Sequence, residues 1–358
     1  MDTDTRLRLI AGVGEEVITE AELRELVQTN AHPTAYDGFE PSGLAHLPFG
    51  VFRPLLLKDL LKAGLKFKLW LADWFALINN KMGGDLSAIH SVGEYFIEVW
   101  KAAGVENVQF LWASKEMDQE YWKKALLVAK HTTVQRATRA LTIMGRKEGE
   151  LQAVAQYFYP VMQTTDVFHL GVDITQLGVD QRRACILARE VAPKLGRKPP
   201  VVVSHHMLMG LEGVKQPEGF ETDQSRDVEI SSKMSKSKPQ TSIFVHDSKE
   251  DIQKKLQSAF CQPGNPQNPL LDYAKHILFR AFKTFEVDRP KKFGGPVCYT
   301  SYSELEKAFL EEKLHPMDLK TAEAAYLDRL VSPIRRHFEV NPKAKKLYET
   351  VKAAQITR

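Results

Sequence analysis

Cysteine is scarce: there are three in 358 residues, Cys185, Cys261 and Cys298. An odd number at wide spacing supports neither a disulfide framework nor a cysteine zinc site, so reduced thiols in a cytosolic protein are expected. No apolar run approaches the ~20 residues that a membrane-spanning helix needs. Met1 to Arg8 carries both signs of charge and no apolar core, so a secretory leader is not expected. Internal repeats and low-complexity tracts are missing as well. Neither sign of charge dominates. The 49 lysines and arginines against 45 acidic residues leave +4, which permits a nucleic-acid partner without requiring one, because local patches matter more than the total.

The length suits two domains of roughly 100–200 residues each. Residues 4–30 read as two short amphipathic helices. Between Ala35 and Gly50 two glycines, a proline and a serine punctuate the chain as strand, tight turn and helix, and Pro48 suits a first helical turn, where its missing N–H is not needed. The helix runs from Leu55 to Ala63. Phe67–Asp73 and Val108–Trp112 are short apolar runs suited to buried parallel strands, and 86–103 has helical periodicity. Residues 118–145 are helical and basic. Helices are expected at 151–166 and 180–191, strands at 167–172 and 199–204. Residues 213–230 are polar and aperiodic and read as an irregular insertion. Beyond Asp247 the pattern is helical at 249–260, 269–283, 303–311 and from Leu319 to about Phe338.

Strands alternating with helices predict an α/β fold: a Rossmann-like, doubly wound parallel sheet, followed by an all-helical C-terminal domain. The expected boundaries are 1–230, a linking loop at 231–247, and 248–358. Ligands in such sheets bind at the carboxyl ends of the strands. The turn at 38–50 belongs there, at a helix N-terminus whose N–H groups favour phosphate.

The run Lys233-Met234-Ser235-Lys236-Ser237 alternates lysine with small hydroxyl residues, flanked by Ser231, Ser232 and Lys238. Unpaired lysine is almost never fully buried, so this stretch reads as a mobile surface loop spaced to close over a polyanion. A flexible basic linker has the same composition. The run spells KMSKS, the ATP-loop signature of class I aminoacyl-tRNA synthetases. That signature requires a partner at the first strand–helix turn, and Gly38-Phe39-Glu40-Pro41-Ser42-Gly43 followed by His46-Leu47 resembles the form found in archaeal and eukaryotic tyrosyl-tRNA synthetases. Ala72-Asp73-Trp74-Phe75-Ala76, Tyr159 to Gln163, Asp166, Asp180-Gln181-Arg182, Ser204 to Leu208, Lys292 to Gly295 and Leu314 to Lys320 follow in the family's order. The resemblance covers essentially the whole chain.

The resemblance implies an enzyme that activates tyrosine with ATP and transfers it to the terminal adenosine of its tRNA. His46, Lys233 and Lys236 are then the catalytic residues. Gly38, Glu40, Ser42, Gly43, Gly50, His205, Met207, Leu208, Met234, Ser235 and Ser237 join them around ATP. Magnesium comes with the nucleotide; no dedicated metal site or prosthetic group is expected. Tyr36, Gly38, Ala72, Phe75, Tyr159, Gln163, Asp166 and Gln181 match the tyrosine site. Arg139, Arg182 and Arg183 match residues that read the first acceptor-stem pair, expected to be cytosine–guanine. Phe293, His315 and Asp318 match the anticodon contacts. Members of this subclass are cytoplasmic homodimers, and the apolar surface of the insert at about 86–145 is the expected interface.

Each residue alone has a plainer reading. Tyr36 could be a core tyrosine, Asp166 a helix cap, Arg182 and Arg183 a solvated helix face, and Phe293 a turn anchor. His205 and His206 suggest a metal pair, but no third ligand is evident in the sequence, and turn packing or ribose contacts are the better expectation. A tryptophan–tRNA ligase shares the signatures, although Tyr36 and Asp166 suit a phenol. A catalytically degenerate RNA-binding paralogue is the other alternative. Its support is Pro48 and Phe49, where the family usually has a small residue and then a polar one that can reach the nucleotide. The insertion at 213–230 and Lys238 are further departures.

Overall fold

The structure is a computed structural model describing residues 1–146, 150 and 153–354. The expected helix start at Leu151 and residues 355–358 of the C-terminal domain lie outside the described residues. Helix α1 (Thr3–Ala11), strand β1 (Glu16–Ile18), α2 (Glu20–Thr29) and β2 (Thr34–Phe39) open the chain. A π-helical turn over Pro48–Phe52 leads into α3 (Arg53–Lys62). Then come β3 (Lys66–Leu71), α4 (Asp73–Ile78), α5 (Leu86–Ala102), β4 (Val108–Trp112), the one-turn α6 (Ala113–Glu116), α7 (Gln119–Lys130), α8 (Val134–Ala140) and α9 (Ala155–His169). The sheet-bearing half closes with β5 (Ile174–Thr175), α10 (Arg182–Val191), β6 (Val201–Ser204) and α11 (Gln224–Ser232).

Among the described residues the main sheet has the order β1-β6-β5-β2-β3-β4. All neighbours are parallel except β1, which runs antiparallel to β6 at the edge. The β6 run Val-Val-Val-Ser is buried throughout, as expected of a strand covered on both faces. From β2 the chain winds outward to β3 and β4, and β5 returns to the other side of β2. The crevice at that reversal, above the carboxyl ends of β2 and β5, is the ligand position of a doubly wound sheet.

Several elements depart from the sequence expectation. Residues 167–169 finish α9, and the strand expected at 167–172 is the two-residue β5; a short apolar run does not reveal its own period. The helical stretch at 118–145 is broken, and Thr133 caps α8 by accepting from the Arg136 N–H at 3.2 Å. β1 is three half-buried residues, too short to show alternation. The insertion at 213–230 is irregular only in its first part. Asp223 accepts from the Arg226 N–H at 3.0 Å and starts α11, while Asp227 receives the N–H groups of Gly219 and Phe220, both at 2.7 Å.

The C-terminal region comprises α12 (Lys249–Ser258), α13 (Pro269–Tyr273), a π-helical turn over Ala274–Leu278, α14 (Phe279–Ala281), α15 (Tyr302–Leu310), α16 (Pro316–Val340) and α17 (Pro342–Ala353). It is helical with one addition, an antiparallel ribbon of β7 (Phe285–Val287) and β8 (Val297–Tyr299). Helix α5 buries Ile89, Val92, Tyr95, Phe96, Val99 and Trp100. Part of that face lies under the C-terminal helices: Tyr95 is 5.4 Å from Phe338, ring to ring, and His337 meets Glu98 at 2.9 Å. Within the surface at about 86–145 expected to serve a second subunit, the part that α5 contributes around Tyr95 and Glu98 is thus packed against this chain's own helices. A single hydrophobic cluster runs from Ile10 to Val351, so the two halves share a core.

Candidate active site

The crevice holds a cavity of about 420 Å³. Its floor comes from β2. Tyr36 and Gly38 point along one face of that strand because successive side chains alternate, and the turn after Phe39 carries Glu40, Ser42 and His46 around the rim. Gly43 adopts φ +93°, a left-handed conformation that costs a residue with a Cβ far more than glycine. Gly50 is bare for a different reason: a Cβ there would stand 2.3 Å from Val245 Cγ1. Neither Gly43 nor Gly50 lines the cavity. They shape and pack the turn.

At one end of the cavity Asp166, 1% exposed, faces Tyr36, equally buried. Burial pushes the Asp166 carboxyl well above the usual carboxylate range, against the Tyr121 hydroxyl that donates to it at 2.8 Å. Gln163 donates to Gln181 at 3.1 Å, and Gln181 donates to the Ile143 carbonyl at 3.0 Å. Tyr159 donates to Glu40 at 2.8 Å and packs its ring against Phe75. Ala72 completes the wall.

At the other end the Lys233–Ser237 stretch folds over the opening. Its Met234 is 4% exposed, with its N–H on the Leu208 carbonyl at 2.7 Å. Lys233 pairs with Asp180 at 2.6 Å, and Lys236 donates to Ser42 Oγ at 2.9 Å. A free surface loop was expected; anchored by Met234 and both ammonium groups, it is instead a closed flap. Enclosure, with the neighbouring Lys81 charge, lowers the Lys236 pKa to about 7, and Glu40 opposes the shift. His46 is held neutral by burial and by Lys236 and Lys233, and its Nδ1 is buried without a hydrogen-bond partner. His205, Met207 and Leu208 line the same wall with Ser235 and Ser237.

A cavity with a phenol-sized polar end and a lysine-capped end, at the switch point of a doubly wound sheet, has the two halves of an amino-acid and nucleotide site. The family model for class I tRNA synthetases (W and Y) matches residues 28–332. The cytoplasmic tyrosine–tRNA ligase 1 of Arabidopsis thaliana is 40% identical over 364 aligned residues, which cover all of this chain and 90% of that protein. The chain belongs to the class I tyrosine–tRNA ligases. Solved structures agree. The tyrosyl-tRNA synthetase of Pyrococcus horikoshii complexed with L-tyrosine superposes with a TM-score of 0.89 at 40% identity, covering 98% of this chain and all of that one. That of Aeropyrum pernix gives 0.86 at 38% identity, covering 98% and 99%.

Two of this tyrosine–tRNA ligase's departures from its family now have a physical setting. Phe49 packs with Phe39, Phe96 and Trp100 at ring distances of 5.0, 4.1 and 5.4 Å, so the polar group is replaced by one member of an aromatic cluster. Lys236 lies 5.0 Å above the Phe96 ring. Pro48 starts the π-helical turn.

Two of the three residues expected at the acceptor stem are engaged with carboxylates. Arg182 pairs with Glu16 at 2.7 Å and Arg183 with Glu221 at 2.8 Å. Arg183 also donates to the Arg139 carbonyl at 2.6 Å, which brings that residue alongside. Phe293, 59% exposed, sits on the turn after β7. Arg289 donates to Gly295 and to the Lys313 carbonyl, joining that turn to the segment entering α16, where His315 is the N-cap and Asp318 is in the first turn.

Sequence reading missed four residues. Asn79, wholly buried, donates to Glu40 at 2.9 Å and to the Met144 carbonyl, and it accepts from Arg146 at 2.6 Å. Lys81 lies 3.6 Å from Glu40 and lines the cavity. Tyr121 supports Asp166. Asn79-Asn80-Lys81 before a Met-Gly-Gly turn is the available signal for Asn79 and Lys81; nothing local marks Tyr121 or Arg146.

Proposed function

We propose that this chain charges tRNA(Tyr) through the cavity described above. Tyr36 and Asp166 face the phenol of L-tyrosine, while Tyr159, Gln163 and Gln181 receive its ammonium and neighbouring polar atoms. ATP enters with its Mg²⁺ as substrate between Gly38, Glu40, Ser42 and His46 on one side and His205, Met207 and Leu208 on the other. The tyrosine carboxylate oxygen attacks the α-phosphorus, the P–O bond to pyrophosphate breaks, and tyrosyl-adenylate forms. No proton has to be removed, so catalysis is positioning and charge stabilisation. Lys233 and Lys236 exchange Asp180 and Ser42 for the leaving pyrophosphate as its charge grows. A ribose hydroxyl of the terminal adenosine then attacks the acyl carbon and AMP departs. Arg139 meets the acceptor stem together with Arg182 and Arg183, which first release Glu16 and Glu221, and Phe293, His315 and Asp318 meet the anticodon.

The observation that carries this reading is that one cavity gathers Asp166, Gln163, His46 and both flap lysines. Its test is ATP–pyrophosphate exchange with tyrosine, tryptophan and phenylalanine on the purified chain. Exchange with tyrosine alone is expected; a folded protein without exchange would overturn it.

The working form is a homodimer in the cytoplasm. Trp122, Leu126 and Leu127 of α7, Val134, and Tyr157 and Phe158 of α9 are large exposed side chains, Leu126 at 72% and Val134 at 79%. Single exposed apolar residues need no explanation, but a grouped set on neighbouring helices fits an interface. Leu126→Glu with Val134→Glu should give a monomer by analytical ultracentrifugation. Among the described residues no helix is long and apolar enough to cross a membrane.

A further inference from the structure

At the junction of the sheet with the C-terminal helices, three donor groups from distant parts of the chain converge. His206 follows β6, Asp272 is on α13, and His276 lies one turn later in the π-helical stretch. His206 Nε2 is 2.8 Å from Asp272 Oδ1, and His276 Nε2 is 3.8 Å from the same oxygen. All three donor atoms lie within 4.8 Å of one another. The two imidazoles stack at 4.1 Å with 15° between their planes, which sends both Nε2 atoms to one side.

We propose that His206, Asp272 and His276 bind a divalent first-row cation of the zinc class. Three arguments carry it. The first is geometric. An ion ~2.0–2.1 Å from nitrogen and oxygen donors in a tetrahedral shell holds those donors ~3.3 Å apart, and 2.8 and 3.8 Å bracket that spacing. The i, i+4 placement of Asp272 and His276 puts both on one helix face, a spacing that recurs in zinc sites, and π-helical turns cluster at functional positions.

The second argument is the surrounding shell. A metal-bound histidine usually gives its other ring N–H to a carboxylate, and a ligating carboxylate is itself hydrogen-bonded. Here His206 Nδ1 lies 3.0 Å from Glu15 and 2.9 Å from Glu229, and Asp272 Oδ2 accepts from the Met209 N–H at 2.8 Å. Both supports exist before any ion arrives.

The third is charge. Three carboxylates surround one imidazole pair, so a single imidazolium leaves negative charge uncompensated, and a dication taking the place of its Nε2 proton reduces that excess. Two histidines and one carboxylate suit zinc or cobalt better than magnesium or calcium, which prefer all-oxygen shells. The site would tie the segment after β6, which holds the flap through Leu208 and Met234, to the C-terminal helices through a metal.

The test is titration of the chelator-treated full chain with Co²⁺, read by visible d–d absorption, followed by displacement with Zn²⁺. One equivalent should bind with a tetrahedral or five-coordinate spectrum, and Zn²⁺ should raise the melting temperature. His276→Phe keeps the ring stack and removes one donor. It should weaken binding at least tenfold and abolish the thermal shift while circular dichroism stays native. Glu229→Gln should weaken binding by about 10–100-fold through the outer shell. Absence of a d–d band in the unmodified chain, or unchanged affinity in folded His276→Phe, would overturn the proposal and leave the cluster an ion-pair junction.

Discussion

The Tyr121 hydroxyl donates to Asp166 at 2.8 Å and also reaches the Met162 carbonyl at 2.9 Å, so the carboxyl that lines the cavity with Tyr36 is aimed from behind. Tyr121→Phe removes that support and leaves the cavity's volume intact. One hydrogen bond to a buried carboxyl is worth about 1–3 kcal/mol. KM for tyrosine should rise about tenfold or more in pyrophosphate exchange, with KM for ATP unchanged. Asp166→Ala should do far more, eroding a discrimination against phenylalanine of about 10⁴–10⁵. Equal tyrosine and phenylalanine kinetics before and after that change would refute the assignment.

In the proposed reaction the flap lysines act on charge that develops only as pyrophosphate leaves. Lys233→Ala should therefore lower kcat by about 10²–10³, the usual loss for one preorganised donor, with little change in KM for ATP. A pure KM effect would show instead that Lys233 serves ground-state binding.

Lys236 gives a pH signature. Its pKa is lowered to about 7, first by desolvation and then by Lys81. The charged form, which a triphosphate needs, dominates below that value and is lost as pH rises through it. The kcat/KM for ATP reports the free enzyme. It should be level below about pH 7 and fall above it, well short of the ordinary lysine range. Lys236→Arg keeps its charge throughout, so the fall should vanish; a fall that persists unaltered would place the titration elsewhere.

Arg53 and Asp37 form an ion pair at 2.6 Å with both side chains almost wholly buried. Arg53→Met strands a buried carboxylate, and breaking such a pair costs about 3–5 kcal/mol. Denaturant unfolding should show that loss at neutral pH. Protonating Asp37, whose pKa burial raises to about 6, should recover part of it at lower pH.

Phe49 looks in sequence like a damaged nucleotide contact. In the fold it is 7% exposed and packed edge-on and tilted among Phe39, Phe96 and Trp100. Phe49→Gln should thus lower stability by about 1–3 kcal/mol, from lost packing and a buried amide, without improving KM for ATP. A clear gain in ATP affinity would make Phe49 an impaired contact after all.

Composition and order along the chain determined the fold class, the parallel strands at 67–71 and 108–112, the strand–turn–helix at 36–50 and the lysine run at 233–237. These signals are local: apolar runs, glycine and proline punctuation, and charges that cannot be buried alone. The family resemblance rests on the same local stretches. The tertiary structure alone decided which side chains meet. Asn79 reaches Glu40 and Arg146 reaches Asn79, Tyr121 reaches Asp166, and Asp272, 66 residues along the chain, reaches His206 with His276 beside it. It also decided that part of the apolar face of α5 is covered by this chain's own C-terminal helices, and that the lysine flap is tied down by Asp180 and Ser42. The reason is physical. A period of two or 3.6 says which face is apolar but not what will cover it, and a polar side chain does not carry the name of its partner. Those facts exist only once distant segments pack.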